Sequence, residues 1–225
     1  MKITSIESQK NRPERRAIFA DGQFLIGVGA ETLIRSGLRT GDEITPQTLS
    51  LLQRMEETLG AKTAALHFLT IRPRSEREVR DKLREKEFGP EEIETTIDDL
   101  TKARLLDDAE FARAFIRNAT AIKPTGAILL KRKLLLLGVK KETVEQALQE
   151  ELAEADQHSA AAKAATAFLK RARASRKQEN QSRLRLRLTA FLLRRGYTWD
   201  IVEHAVKKSM LGGGDEDGEA GEGGI

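Results

Sequence analysis

Two stretches of the chain each carry three arginines at spacings that share one side of an α-helix. At about 100° per residue, Arg77, Arg80 and Arg84 fall within an arc about 60° wide. A second stripe of the same kind comprises Arg183, Arg187 and Arg194. A guanidinium donates two parallel hydrogen bonds to a phosphate or a carboxylate, so each stripe would suit DNA or an acidic protein surface. The alternative is a solvated helix face on which arginines pair with acids one turn away.

Five further cations are candidate binding residues for a protein or DNA partner. They are Arg72, Arg74, Lys131, Arg132 and Lys133. The last three are enclosed by leucines, so apolar residues point to nearly every side of their helix. That helix is predicted to be central and buried between neighbouring modules. The alternative is an apolar contact surface for a partner.

The sequence offers little for catalysis. His67, His158 and His204 have no metal-ligand spacing, and the chain contains no cysteine to complement them. The three glycines at 212–214 follow no predicted strand and precede no Lys-Ser or Lys-Thr, so they form no phosphate loop. No G-x-S-x-G elbow occurs either. We therefore expect a non-enzymatic protein with no cofactor and no metal site, and no ATPase or nuclease activity.

An internal repeat would position the basic residues. Around Phe88, Val139 and Tyr197, apolar residues recur five and nine positions to either side. These residues are Val79, Leu83, Ile93 and Ile97, then Leu130, Leu134, Val144 and Leu148, then Leu188, Leu192, Val202 and Val206. Steps of four match one face of a helix. Each copy is predicted to be two helices joined by a tight turn. The residue just before the central position of each copy lies in that turn and is Glu87, Gly138 or Gly196.

A further apolar helix is predicted before each pair, at residues 64–70, 111–118 and 160–171. Ser75 with Glu78, and Asp107 with Glu110, have the spacing of a capping box, and Pro90 suits a first helical position. Such self-similarity indicates tandem modules. The predicted fold is mainly α, with three tandem three-helix repeats forming an elongated helical array after a small N-terminal β-containing unit.

The first 60 residues differ from the rest. Short β-prone runs and a hairpin signal at Asp21-Gly22 predict a sheet of about three strands. A short helix is expected over residues 30–36, ending at Gly37, and a longer one over residues 46–59, ending at Gly60. The expected division is 1–60 for this unit, 61–106, 107–151 and 152–211 for the repeats, and 212–225 for a disordered acidic tail. The polar residues 175–181 are expected to form a loop.

Charge and composition constrain the compartment and partners. The net charge is +4, and the five acids of the tail leave +9 on residues 1–211, which suits a nucleic-acid or nucleoprotein partner. The absence of cysteine favours a reducing cytosol. No apolar run approaches the roughly 18 residues of a membrane span, and the first residues carry no apolar leader core. We expect a cytoplasmic monomer without membrane contact.

At these residues the sequence resembles the RecX family of recombination regulators, over roughly residues 62–208. The resemblance rests on Arg72-Pro73-Arg74-Ser75, Glu78-Val79, Lys82-Leu83, Leu105-Leu106-Asp107-Asp108, Phe111-Ala112, Gly126, Leu137-Gly138-Val139, Phe191-Leu192 and Arg195-Gly196-Tyr197. The sequence departs from the family pattern at two positions. Glycine is more usual at the position of Glu87, and an acidic residue is more usual at the position of Lys133. The N-terminal extension also resembles that of the longer family members.

The resemblance implies a non-enzymatic protein that binds RecA, enters the groove of the RecA–DNA filament and inhibits its ATPase, co-protease and strand-exchange activities. Two other classes stay open. A stand-alone helical-repeat protein that binds single- or double-stranded DNA would also explain the stripes, as would a scaffold for an acidic protein partner. Tyr197 and Trp199 both lie at one helix start, which favours protein or backbone contact over stacking on bases.

Overall fold

Three strands and ten helices make up the part of the chain that the computed structural model describes, residues 1–10, 12–174 and 180–211. The predicted acidic tail, 212–225, and most of the predicted loop at 175–181 lie outside those residues. The chain divides into two compact units, one from Met1 to Leu106 and one from Asp107 onward. The elements are β1 (Ile3–Gln9), β2 (Arg12–Ala20), β3 (Gln23–Gly29), α1 (Ala30–Ser36), α2 (Pro46–Ile71), α3 (Glu76–Glu85), α4 (Pro90–Lys102), α5 (Asp108–Ile122), α6 (Ala127–Leu136), α7 (Lys141–Glu151), α8 (Glu154–Ala174), α9 (Gln181–Arg194) and α10 (Trp199–Leu211).

The N-terminal sheet is the predicted three-stranded antiparallel meander, in the order β1-β2-β3. Asp21 and Gly22 connect β2 to β3, and both have positive φ, 49° and 82°. Positive φ at both central residues is what a tight hairpin turn requires. Buried Ile3, Ile18 and Val28 pack from the sheet onto a cluster that includes residues of the following segment. The sheet therefore has one apolar face, and a helix covers it.

Helix α2 is longer than the sequence indicates. It runs without a break from Pro46 to Ile71, so the predicted end at Gly60 is wrong. A glycine inside a helix costs only about 1 kcal/mol relative to alanine, and burial of Ala61 and Ala65 on the next turns offsets that cost. Gly60 also lies against Phe88, whose ring would be 3.4 Å from an added Cβ. One helix thus packs against both the sheet, through Leu52, and the first three-helix core.

The three predicted repeats are present as helix triplets: α2–α4, α5–α7 and α8–α10, called here the first, second and third repeats. Each has its own apolar cluster of buried residues. Of the twelve flanking positions of the sequence frame, those in the first and third repeats are all buried, and Leu148 of the second is partly buried. The apolar residues of these segments, spaced at the helical period, therefore mark the side of each helix that faces the core.

The turn between the last two helices of each repeat has one conformation. Glu87, Gly138 and Gly196 all have left-handed backbones, with φ of 64°, 86° and 85°. Glycine adopts this region freely, whereas a residue with a Cβ pays about 1–2 kcal/mol there. Glu87 therefore occupies a position that favours glycine.

Replacing Glu87 by glycine is expected to raise the free energy of unfolding by about 0.5–1 kcal/mol. The relief of left-handed strain exceeds the entropy that glycine adds to the unfolded chain. Urea unfolding monitored by circular dichroism would measure the gain. Glu87→Ala is the matched control, because it removes the same carboxylate and keeps the Cβ, and it should not stabilise.

The second and third repeats meet through backbone atoms at Gly126 and Gly196. The Gly126 amide donates to the carbonyl of Arg195 at 2.9 Å, and the Ile128 amide donates to that of Gly196 at 3.0 Å. The Ala127 amide donates to Oε1 of Gln157 at 3.2 Å. Gly126 provides no side-chain cap to α6. Atoms of the third repeat therefore accept the hydrogen bonds that the first amides of a helix otherwise lack.

Tyr197 occupies the central frame position of the third repeat and is 1% exposed. Burial raises the pKa of its phenol to about 12, although the charge of Arg195 acts in the opposite direction. The neutral phenol is thus favoured in the folded protein. Since the folded pKa lies above the unfolded value of about 10, this contribution is complete below pH 10 and is lost as the pH rises toward 12.

Alkaline titration tests this directly, because Tyr197 is the only tyrosine of the chain. Absorbance at 295 nm should show tyrosinate appearing near pH 12 or together with unfolding, and not near pH 10. The parent should lose up to about 3 kcal/mol of stability through this group across that window. Tyr197→Phe should lose less over the same pH range. Ionisation near pH 10 in the folded protein would contradict the burial.

Candidate interaction surface

The arginine stripe of the first repeat is held by acids of the same repeat. Arg77 and Arg84 both face Asp81, at 3.7 and 2.9 Å. Arg80 bridges Glu76 at 2.9 Å and Glu94 of α4 at 2.7 Å. Arg77 and Arg84 stay more than half exposed, whereas Arg80 is 24% exposed. The geometry matches the ion-paired helix face that the sequence left open as the alternative.

Arg72 and Arg74 converge on one carboxylate. Arg72 donates to Glu78 at 2.6 Å and Arg74 at 3.3 Å, and the Arg74 guanidinium also lies 4.0 Å from the centre of the Phe68 ring. Glu78 accepts from the Ser75 amide while Ser75 accepts from the Glu78 amide, which confirms the predicted capping box. These two arginines therefore fix the entry into α3.

In the second repeat, a further ion-pair network joins α5 to α7. Arg113 and Arg117 contact Glu110 on α5 and Glu150 and Glu151 on α7. Hydrogen bonds from Arg117 and Arg113 lower the pKa of Glu110, and the same bonds raise the pKa of both arginines. Asp107 caps α5 through the Ala109 and Glu110 amides. The Glu110 carboxylate contacts arginines, so the predicted D-x-x-E signal reflects an N-cap and an ion pair.

Helix α6 exposes more apolar surface than predicted. Leu130 and Leu134 are buried, but Leu136 is 69% exposed and Leu135 38%. The prediction of burial on several sides is therefore wrong, because only one face of α6 packs against its own repeat. The exposed leucines are consistent with the alternative of an apolar contact surface.

The three cations of α6 differ in their surroundings. Lys131 donates to Glu145 at 2.5 Å. Arg132 and Lys133 are exposed, and neither forms an ion pair with any residue in the described part of the chain. These two side chains are available to an anionic partner.

Positive charge is concentrated in the third repeat. Residues 152–211 contain thirteen Lys and Arg against five Asp and Glu, a formal charge of +8. Residues 61–106 contain ten basic and ten acidic residues, and residues 1–60 contain eight of each kind. Residues 107–151 contain eight basic and seven acidic residues. Nearly all the excess charge of the folded chain therefore belongs to one repeat. Such a local field attracts a polyanion far more than a uniform net charge would.

Helix α9 presents the second arginine stripe. Arg183, Arg187 and Arg194 are exposed, while Leu188 and Leu192 on the same helix are buried in the repeat's core. The Arg187 guanidinium lies 5.7 Å from the centre of the Phe168 ring. The core thus fixes which side of α9 carries the arginines.

Sequence reasoning missed part of this basic surface. Exposed Arg185, Lys207 and Lys208 add to the third repeat. Lys163 and Lys170 of α8 line a groove with Lys208 and with the imidazoles of His158 and His204. Counting charge repeat by repeat would have identified the concentration. The proximity of α8 to α10 that forms the groove could not be read from spacing alone.

No helix in the described part of the chain is long and apolar enough to cross a membrane.

Comparisons with known proteins agree with this architecture. Family models match three segments: "Regulatory protein RecX N-terminal domain" at residues 1–45, "RecX, first three-helix domain" at 61–100 and "RecX, second three-helix domain" at 107–148. A protein named Regulatory protein RecX from Clostridium botulinum (strain Alaska E43 / Type E3) is 30% identical over 210 residues, covering 93% of this chain and 96% of its own length. One of the same name from Bacillus subtilis (strain 168) is 31% identical over 204 residues, covering 91% and 75%.

Two solved structures have the same fold. A crystal structure of regulatory protein RecX superposes with a TM-score of 0.76 at 24% identity, covering 92% of this chain and 98% of the other. RecX from Lactobacillus salivarius superposes with a TM-score of 0.62 at 22% identity, covering 69% and 97%. With the sequence matches and the shared three-helix repeats, these findings establish that the chain belongs to the RecX family of regulatory proteins.

Proposed function

We propose that this chain is a non-enzymatic regulator of RecA that binds the RecA–DNA filament and inhibits its ATPase, co-protease and strand-exchange activities. Family membership supports the regulatory class. The observation that carries the proposal further is the formal charge of +8 on the third repeat beside nearly neutral first and second repeats. A filament of protein on DNA presents phosphates and carboxylates, both of which guanidinium groups bind well.

The two arginine stripes contribute unequally in this proposal. The first repeat's arginines already hold Asp81, Glu76 and Glu94, so a partner's anion must displace an internal acid to reach them. The third repeat has far fewer acids than bases to compete with a partner. Its surface therefore gains more from each new contact, and we assign it the larger share of binding to the filament.

The apolar part of α6 has a separate role in the proposal. Leu135 and Leu136 are exposed beside the cations Arg132 and Lys133. Contact with protein removes apolar surface from water, whereas contact with a DNA backbone does not. This patch accordingly suits RecA rather than DNA. The chain acts as a monomer in the cytoplasm, where RecA and DNA are both present.

A second candidate function is stand-alone DNA binding, because the positive charge of the third repeat would also attract DNA phosphates. A scaffold for another acidic protein is the remaining alternative. These classes differ in what retains the chain: DNA alone, an acidic protein alone, or the assembled filament.

Retention on immobilised single-stranded DNA distinguishes them. The full chain would be applied to DNA alone, to RecA without DNA, and to RecA assembled on that DNA with a slowly hydrolysed ATP analogue, at about 0.15 M salt. We expect at least about tenfold stronger retention on the filament than on either component. Equal retention on bare DNA and on the filament would reject the RecA proposal in favour of DNA binding.

A further inference from the structure

Two helices of the third repeat each place an acid and a histidine four residues apart. Glu154 and His158 are on α8, and Asp200 and His204 are on α10. Residues four apart lie on the same face of a helix, one turn from each other. Helices α8 and α10 pack together in the core of this repeat. The two histidines line one groove between these helices.

Three of the four side chains lie close together, and His204 lies beside one of them. One potential ligand atom from each of Glu154, His158 and Asp200 lies within 4.8 Å of the others. The imidazoles of His158 and His204 have ring centres 5.1 Å apart and are nearly perpendicular, at 85°. No other group of three or more acids and histidines in the described residues meets this criterion.

We propose that Glu154, His158, Asp200 and His204 form a binding site for a divalent transition-metal ion, with Zn²⁺ as the best-suited ion. Two imidazole nitrogens and two carboxylate oxygens make a four-ligand set of the kind that tetrahedral Zn²⁺ accepts. Ligand atoms on tetrahedral zinc are roughly 3.3 Å apart. Glu154, Asp200 and His204 are exposed and His158 is half-buried, so their side chains can rotate the remaining distance without disturbing the core.

The two carboxylates differ in what already holds them. Asp200 is hydrogen-bonded to the Thr198 side chain and to backbone amides at the start of α10, so a metal ion must share this carboxylate with the start of the helix. Glu154 makes no hydrogen bond or ion pair with the residues that the structure describes, so its carboxylate can turn toward an ion.

Helix-dipole stabilisation explains the acids but not the histidines. Acids in the first turn of α8 and α10 are favourable without any metal. That account gives no reason for two imidazoles one turn later to meet across the groove. Lys163 and Lys208 line the same groove and oppose a cation. The site should therefore select ions that bind imidazole strongly, and reject Mg²⁺ and Ca²⁺, which prefer oxygen ligands.

Metal binding would link α8 to α10 near their first turns. Protons compete with a metal ion for the ligand atoms, so binding should weaken on acidification. An ion that binds only the folded chain raises its melting temperature. The proposal is independent of the RecA function, since it concerns the third repeat in the isolated protein.

The test uses the full chain with any affinity tag removed, because a polyhistidine tag binds the same ions. Calorimetric titration with Zn²⁺ should show one ion per chain. Co²⁺ should give the visible absorption of a four-coordinate site, and Zn²⁺ should remove that absorption. Mg²⁺ should produce neither heat nor a change in melting temperature.

Variants identify the ligands. His158→Ala, His204→Ala and Glu154→Gln should each weaken Zn²⁺ binding at least tenfold and abolish the rise in melting temperature. His67→Ala, which removes a histidine of α2 in the other unit, should bind as the parent does. Glu154→Gln changes one exposed side chain and keeps its shape, so it tests the site even if a histidine variant is unstable. Absence of saturable binding, or parental affinity in the His158 and His204 variants, would overturn the proposal.

Discussion

Alanine in place of Gly126 is expected to destabilise the unit that begins at Asp107 by about 3–5 kcal/mol. A Cβ at Gly126 would lie 2.2 Å from the carbonyl carbon and oxygen of Gly196, and 2.3 Å from the Tyr197 amide nitrogen. These are backbone atoms of a tight turn and cannot move aside as a flexible side chain does. Overpacking of this kind costs about 1–3 kcal/mol. If the segments around Gly126 and Gly196 move apart instead, the two backbone hydrogen bonds between them are lost, at about 1 kcal/mol each.

The fluorescence of Trp199 measures this effect locally. It is the only tryptophan of the chain and begins α10, directly after the turn that Gly196 forms. Gly29→Ala is the matched control, and its unfolding is followed by circular dichroism because Trp199 belongs to the other unit. Gly29 also occupies the N-cap position of a helix, with φ −67° and ψ 154° against −83° and 159° at Gly126. Its added Cβ would meet nothing closer than a Glu56 carboxylate oxygen at 3.5 Å.

The control should shift stability by less than about 1 kcal/mol, as a change to Ala at an N-cap glycine does. Equal denaturation midpoints for the Gly126 and Gly29 variants would mean that the second and third repeats do not pack through these backbone atoms.

Neutralising the arginine stripe of the third repeat is expected to weaken filament binding about 10- to 100-fold at 0.15 M salt. The change is Arg183, Arg187 and Arg194 to alanine together. Each charge-assisted contact that becomes buried on binding contributes about 1.5–3 kcal/mol, and each that stays solvated under about 1 kcal/mol. The core leucines of α9 are unchanged, so helicity and melting temperature should be nearly those of the parent.

The matched control removes the same number of arginines from the first repeat: Arg77, Arg80 and Arg84. Their repeat carries as many acids as bases, whereas the third repeat carries a formal charge of +8, so their loss should alter binding less than about threefold. Long-range effects of the lost charge are screened beyond about 8 Å at this salt concentration. The salt dependence of binding should flatten only for the third-repeat variant, by about 0.7 per single-strand phosphate contact removed. Equal losses for both variants would refute the assignment of the surface.

Local sequence signals predicted the elements and their repetition. The hairpin at Asp21-Gly22, the cap at Ser75 and the left-handed turns are each fixed by a few neighbouring residues. The apolar frame predicted which side of α3 and α9 is buried, because a helix has a fixed period. Glu87 shows that this turn adopts the left-handed backbone even without glycine.

Features that depend on two distant elements could not be predicted. Arg80 contacts Glu94, fourteen positions away, across the turn between α3 and α4. Gly60 stays helical because neighbouring alanines are buried against later helices. The two acid–histidine pairs meet only because α8 packs beside α10. In each case the sequence gives the chemical groups, while the packing of separate helices decides their neighbours.

The most direct test of RecA regulation is the rate of ATP hydrolysis by RecA on single-stranded DNA. The tag-free chain would be titrated against a fixed amount of RecA, with the two triple-arginine variants alongside. Our account predicts that the parent and the first-repeat variant lower the rate at least twofold at concentrations that saturate the filament, and that the third-repeat variant requires about 10 to 100 times more protein. An unchanged ATPase rate while the parent is demonstrably bound to the filament would contradict the account.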